Sequence, residues 1–141
     1  MDRAPIIITI PGEPVAKGRP RAFVRNGRIG VHTPAKTASF ENLVKMAARE
    51  AMMKAGIFAP LEGALQMQIR AVYLIPASWS KKRRDAAKWR TSRPDADNLA
   101  KGVCDACNDI AYLDDSQVAS ITIQKVYGMR AETIVTISEL E

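Results

Sequence analysis

Two acidic pairs stand close together in this chain: Asp95 and Asp97 in Asp95-Ala96-Asp97-Asn98-Leu99-Ala100-Lys101, then Asp114 and Asp115 in Leu113-Asp114-Asp115-Ser116. Carboxylates that stay clustered must share a proton, meet a cation or hold a hard metal ion. The chain around them is basic, with a formal net charge of +6, so its natural ligand is a polyanion. An acidic metal cage set in a basic surface is what phosphodiester hydrolysis requires. Magnesium prefers one or two protein carboxylates and completes its shell with water and substrate phosphate. Lys101 fits the same chemistry as a group that stabilises developing charge. Each residue also has a plainer reading. Asp-x-Asp before a helix often serves only as a cap, and Asp114-Asp115 suits an ordinary turn. Lys101 could simply neutralise Asp97 or Asp105 across one helical turn.

The elements around these residues must position them. Pro94 biases Arg93 toward an extended conformation, which places Asp95 in a connector and Asp97 at the N-cap of a helix from about Asp97 to Asn108. Leu99, Val103 and Cys107 form its apolar side, while Asp97, Lys101 and Asp105 line one polar face. The acidic turn at Asp114-Asp115 precedes a strand and could return beside the start of that helix. Upstream, Ile6 to Ile10 reads as a strand, and Asn26-Gly27 is a strong two-residue hairpin signal. Thr33-Pro34 is a helix start, and Phe40, Leu43, Val44, Ala47 and Ala51 follow at helical spacing until Gly56. Leu65, Met67, Ile69, Ala71 and Tyr73 alternate with polar residues as a one-sided strand. Ser80 can cap a short basic helix, Lys81 to Lys88, and Val118 to Tyr127 and Glu132 to Ser138 are two more alternating strands. This order predicts an α+β fold: a largely antiparallel or mixed sheet with helices packed on one face.

Length and composition suit one domain spanning 1–141. The longest apolar runs are too short to cross a bilayer, and two cysteines make no disulfide framework, so a cytoplasmic protein with no membrane partner is the simplest reading. Cys104-Asp105-Ala106-Cys107 is a lone C-x-x-C inside a helix, better read as structural thiols. His32 is the chain's one histidine and reads as packing beside the helix start. No phosphate-cradling G-x-x-x-x-G-K-[ST] loop occurs. The basic stretches carry more information. Lys17, Arg19, Arg21, Arg25 and Arg28 cluster on the hairpin and its approach, and Lys81, Lys82, Arg83, Arg84, Lys88 and Arg90 form a second patch. Both suit nucleic-acid phosphates. Trp79 and Trp89 flank the second patch; either could stack on bases, although the plainer reading has both anchoring the short helix into the core.

These segments together resemble the RusA-type Holliday junction resolvases, especially their prophage-borne relatives. The likeness rests on Pro94-Asp95-Ala96-Asp97-Asn98-Leu99-Ala100-Lys101, on Asp105-Ala106, and on Tyr112-Leu113-Asp114-Asp115-Ser116-Gln117-Val118. Lys17-Gly18-Arg19-Pro20-Arg21 and Ser78-Trp79-Ser80-Lys81-Lys82-Arg83 are also similar to segments of that branch. The resemblance implies a homodimeric, magnesium-dependent endonuclease (manganese a possible substitute) that nicks four-way DNA junctions symmetrically in recombination and repair. It implies metal ligands at Asp95, Asp97 and Asp115, with Asp114 a less certain ligand, and an essential lysine at Lys101. A junction cut on two opposed strands independently suits a two-fold dimer, and the methionine-rich helix around Phe40 to Met53 is one candidate interface, though core packing explains it equally well. The rival reading is a non-catalytic nucleic-acid-binding module whose acidic cluster is purely structural.

Overall fold

The computed structural model describes residues 3–17, 21–32 and 35–141, apart from the side chains of residues 21, 23, 31 and 32. In chain order its elements are β1 (Ile6–Pro11), β2 (Arg21–Arg25), β3 (Arg28–His32), α1 (Ala35–Lys54), β4 (Leu65–Leu74), α2 (Lys81–Asp85), α3 (Ala96–Ala106), a one-turn 3-10 helix (Asp115–Gln117), β5 (Val118–Gly128) and β6 (Glu132–Glu139). Four strands form one mixed sheet in the order β1-β6-β4-β5. β6 pairs antiparallel with both β1 and β4, whereas β4 and β5 run parallel. A parallel pair needs a long crossover, and here that connection carries α2, α3 and both acidic pairs. The α+β expectation therefore holds. Consecutive strands β5 and β6 are nonetheless separated by β4, which local pattern could not reveal.

Strand alternation puts one face of the sheet into the core. Ile6, Ile8 and Ile10 of β1, Leu65, Met67 and Ile69 of β4, and Val135 and Ile137 of β6 are buried against the two longer helices. From α1 the buried stripe is Thr37, Phe40, Val44, Ala48 and Met52, the three- and four-residue spacing of one helical face. Phe40 and Val44 were expected there. Leu43 is instead exposed, and Ala47 and Ala51 are half-buried at the stripe's margin, because the contact row passes through Ala48. Leu99, Val103 and Cys107 all face inward as their spacing implies. Gly56, at φ 71°, lets its own amide and that of Ile57 reach the Met53 and Met52 carbonyls at 3.0 and 2.9 Å, which closes α1. The helix start at Thr33-Pro34 lies outside the described residues.

Two local departures matter for the site. The β2–β3 hairpin forms its own two-stranded sheet, turning at Asn26 (φ 54°) and Gly27 (φ 74°) as a primed turn requires. α2 stops at Asp85, not Lys88. Beyond it the Lys88 carbonyl accepts from the Tyr127 amide and the Arg90 amide donates to the Lys125 carbonyl, both at 2.9 Å. Those backbone groups cover the open edge of β5, a use that competes with helix and removes a pairing hazard.

Gly128 ends β5 where an added Cβ would lie 2.7 Å from Val72 Cγ1. A β-branched neighbour has little room to retreat. Gly128→Ala should lower unfolding free energy by about 1–3 kcal/mol, measurable by urea denaturation. An unchanged midpoint would show that the β4–β5 edge repacks without strain.

Candidate active site

α3 begins at Ala96, so its N-cap is Asp95 (φ −70°, ψ 143°) and not Asp97 as the sequence suggested. The extended residue required before a first helical turn is the one directly after Pro94. Asp97 falls inside the first turn and is exposed. The Asp95 side chain makes no capping hydrogen bond, although its carbonyl accepts from the Leu99 amide at 3.2 Å. Both carboxylates thus sit at the positive end of the helix dipole. Asp95 is not committed to holding the helix.

The connector before Asp95 is held by two cations. Lys125 Nζ donates to the Ser92 carbonyl at 2.9 Å and to the Pro94 carbonyl at 2.7 Å. Arg90 donates to the intervening Arg93 carbonyl from Nε at 3.1 Å and Nη2 at 2.6 Å. Its guanidinium also lies 4.0 Å over the ring of Tyr73, whose hydroxyl donates to the Pro14 carbonyl at 3.2 Å. Burial pushes the Tyr73 phenol up to about 12, with the charge of Arg90 acting the other way. Three successive carbonyls are therefore fixed from β5 and the segment covering it, with Arg90 backed by Tyr73 of β4. Sequence reasoning missed Lys125, which looks like any polar residue of an alternating strand, and it grouped Arg90 with the surface patch.

The second acidic pair divides its tasks. Asp114 caps the 3-10 turn, accepting from the Ser116 amide at 3.1 Å. That bonding holds its carboxyl below the usual range. Gln117 Oε1 accepts from the Asp114 and Leu113 amides at 3.1 and 2.9 Å, while its Nε2 donates to the Leu61 and Gly63 carbonyls. Asp115 is half-buried. Its charge acts on Lys17, on the Cys104 thiol and on Tyr112.

Lys17 is not a free member of the basic patch. It forms an ion pair with Asp105, and this bond raises its pKa above the ordinary value. Its amide donates to the Asn98 carbonyl at 3.3 Å. The crossing runs over Gly102, where an added Cβ would meet Lys17 Cβ and N at 3.5 Å, an ordinary contact distance. With Asp105 engaged by Lys17, Lys101 is exposed and in no ion pair among the described residues. Among those residues, no three His, Cys, Asp or Glu side chains are arranged to hold a metal ion. The structure thus places Asp95 and Asp97 at the start of α3 and Asp115 by the Lys17–Asp105 pair, without assembling a three-ligand cage.

The remaining candidates are distributed as follows. Arg25 and Arg28 are exposed on the hairpin, Arg19 lies outside the described residues, and so do the side chains of Arg21 and His32. Lys81, Lys82 and Arg84 are exposed on α2, while Arg83 packs 3.7 Å over Trp79. Neither tryptophan enters the core: Trp79 stacks edge-on against Tyr127 and Trp89 is half exposed. α2 buries nothing; Trp79, between Arg83 and Tyr127, attaches this surface helix to β5 without anchoring it inside. Cys104 and Cys107 are free thiols pushed up to about 11 and 12 by burial, in keeping with structural roles.

A pair of carboxylates at a rigidly held helix start, bordered by exposed cations, is the layout of proteins that work on a phosphodiester backbone. A family model described as "Endodeoxyribonuclease RusA" matches residues 11–138. A relative described as "Uncharacterized protein YqaN", from Bacillus subtilis (strain 168), is 37% identical over 141 residues, covering 96% of each chain. The chain belongs to the RusA endodeoxyribonuclease family. It is an endonuclease of the Holliday junction-resolving type, acting on branched DNA, and nucleases of this family depend on a divalent metal. Among the described residues no helix is long and apolar enough to cross a membrane.

Lys125→Met should loosen the connector before Asp95 and slow junction cleavage by about a hundredfold, the scale set by a misplacement near 1 Å. Junction affinity should stay near wild type, with unfolding free energy lowered by about 1–3 kcal/mol for the lost charge-assisted bonds; equal cleavage rates would remove the clamp from the catalytic account. A second outcome concerns pH. Cys104, Cys107 and Tyr73 hold protons in the folded chain to about 11, 12 and 12, against ordinary values of 9.0, 9.0 and 10.0. The unfolded chain therefore loses these protons first, and stability present below pH 9 should fall as pH rises toward 12. Denaturant melts across that window check the sign.

Proposed function

We propose that this chain is a magnesium-dependent resolvase, active as a homodimer, in which Asp95, Asp97 and Asp115 provide the metal carboxylates. Manganese would substitute for magnesium. The observation that carries this reading is Asp95: a cap residue whose carboxylate is left out of capping while the three carbonyls before it are clamped. Such an arrangement fixes a negatively charged group without using its oxygens. Carboxylate oxygens suit a hard cation, and magnesium needs only one or two of them beside water and phosphate. A preassembled three-carboxylate cage is therefore not required. Asp114, tied to its own turn, is the weaker candidate of its pair. When bound, the ion would supply Lewis acidity at the scissile phosphodiester.

The chain's own groups do the rest. Lys101 stands one turn beyond Asp97, exposed and unpaired among the described residues, so its ammonium is available to offset charge that grows on the phosphate. The start of α3 adds a positive dipole end toward the same anion. Arg25 and Arg28 on the hairpin and Lys81, Lys82 and Arg84 on α2 would neutralise flanking phosphates. Arg19 and Arg21 belong to the same proposed DNA surface. Two identical copies present two such sites to opposed strands.

Asp97→Asn should retain four-way junction binding in a gel shift and lose magnesium-dependent paired nicking. Wild-type-like nicking by this variant would sink the assignment of Asp97. Binding without nicking by the unaltered protein, in either magnesium or manganese, would favour the non-catalytic module instead.

A further inference from the structure

Between α2 and the outer edge of β5 lies a cleft of about 480 Å³ whose walls include Trp79, Arg83, Lys88, Trp89, Ser92 and Tyr127. Its chemistry is unusual for this surface: three aromatic rings and two cations, with no carboxylate on the lining. Trp79 and Tyr127 meet edge to face, with centroids 5.0 Å apart and planes at 66°. Arg83 covers Trp79 at 3.7 Å, and Lys88 stands 5.5 Å from the centre of the Trp89 ring. Trp89 itself is 52% exposed, an expensive display for an indole unless something covers it. Flat π-faces beside positive charge fit a planar group that carries a phosphate, which is a nucleotide base. The volume falls within the range of small-ligand sites.

Its position selects which base. Ser92 lines the cleft, and the Lys125 ammonium that holds the Ser92 carbonyl also holds that of Pro94, next to Asp95. Three residues of chain span at most about 11 Å, and successive nucleotides of a strand advance about 3.4 Å each when stacked. The cleft is thus within about three nucleotides of a phosphate held at the start of α3. We propose that it receives one unstacked base of the strand being cut, seated on Trp89, with Arg83 and Lys88 beside its phosphate. This rests on the nuclease reading above and extends it: a paired, stacked base cannot enter, while a branch point releases one at low cost. Base identity in the cleft would then bias where the nick falls.

Trp79 and Trp89 are the two tryptophans of the chain, so intrinsic indole emission reports on this cleft alone. Without divalent ions, wild-type protein is titrated with a four-way junction and with junctions carrying a single abasic nucleotide, stepped along the strand near the mapped nick. One abasic position should abolish most of the quenching that the intact junction gives. Trp89→Ala should weaken junction binding about fivefold to a hundredfold, and Trp89→Phe should restore most of it. Quenching that ignores which base is missing, or unchanged affinity in Trp89→Ala, overturns the proposal. Equal quenching by a free deoxynucleoside monophosphate also overturns it, since the cleft would then be a mononucleotide site. Nicking with magnesium, followed in parallel on the unaltered protein, tests the nuclease reading separately: its loss leaves base-dependent quenching standing, and the reverse also holds.

Discussion

Lys125 reaches from the edge strand to the carbonyls of Ser92 and Pro94, and Arg90 reaches back to that of Arg93. Without those bonds the connector before α3 would have three adjacent acceptors and nothing from the sheet to fix them. Charge-assisted bonds of this kind are among the stronger ones a half-exposed site can make. They tie the start of α3 to β5, so the acidic end of the helix inherits the rigidity of the sheet. Arg90 in turn is steadied by the face of Tyr73, whose hydroxyl grips the approach to the basic hairpin at Pro14. Acidic and basic parts of the surface are thereby built on one framework.

A second link joins them from the other end. Lys17 crosses α3 over Gly102 and pairs with Asp105, with Asp115 close enough to act on it electrostatically. Its effect is double. It anchors the segment that leads into β2, and it occupies the carboxylate that would otherwise compete for Lys101. A lysine that looked like one more phosphate contact is an internal fastening, and Lys101 stands exposed with no ion pair among the described residues.

Much of this was legible before any coordinates. Alternation in β1, β4 and β6 and the Leu99-Val103-Cys107 face reported burial directly, because a buried sheet face and a helix stripe leave periodic signatures. Asn26-Gly27 declared its turn through the positive φ that both positions need. The acidic signature named the family, though not where each carboxylate would sit. Three things were hidden. The parallel pairing of β4 with β5 depends on long-range order that no local pattern encodes. The early end of α2 follows from backbone recruited to cover a sheet edge. Lys125 acts through main-chain carbonyls, which are the same for every residue type and so leave no trace in a sequence.

The order β1-β6-β4-β5 has one more consequence. β6, which follows β1, β4 and β5 along the chain, is wedged between β1 and β4, so the core of this sheet cannot close until residues 132–139 have emerged. A nascent chain lacking them would leave β1 unpaired and β4 bare along one side. Translation, which proceeds from the N-terminus, therefore delivers the basic arm and both acidic pairs before the scaffold that aligns them. A product terminated before residue 132 should lack the framework that aligns its two acidic pairs.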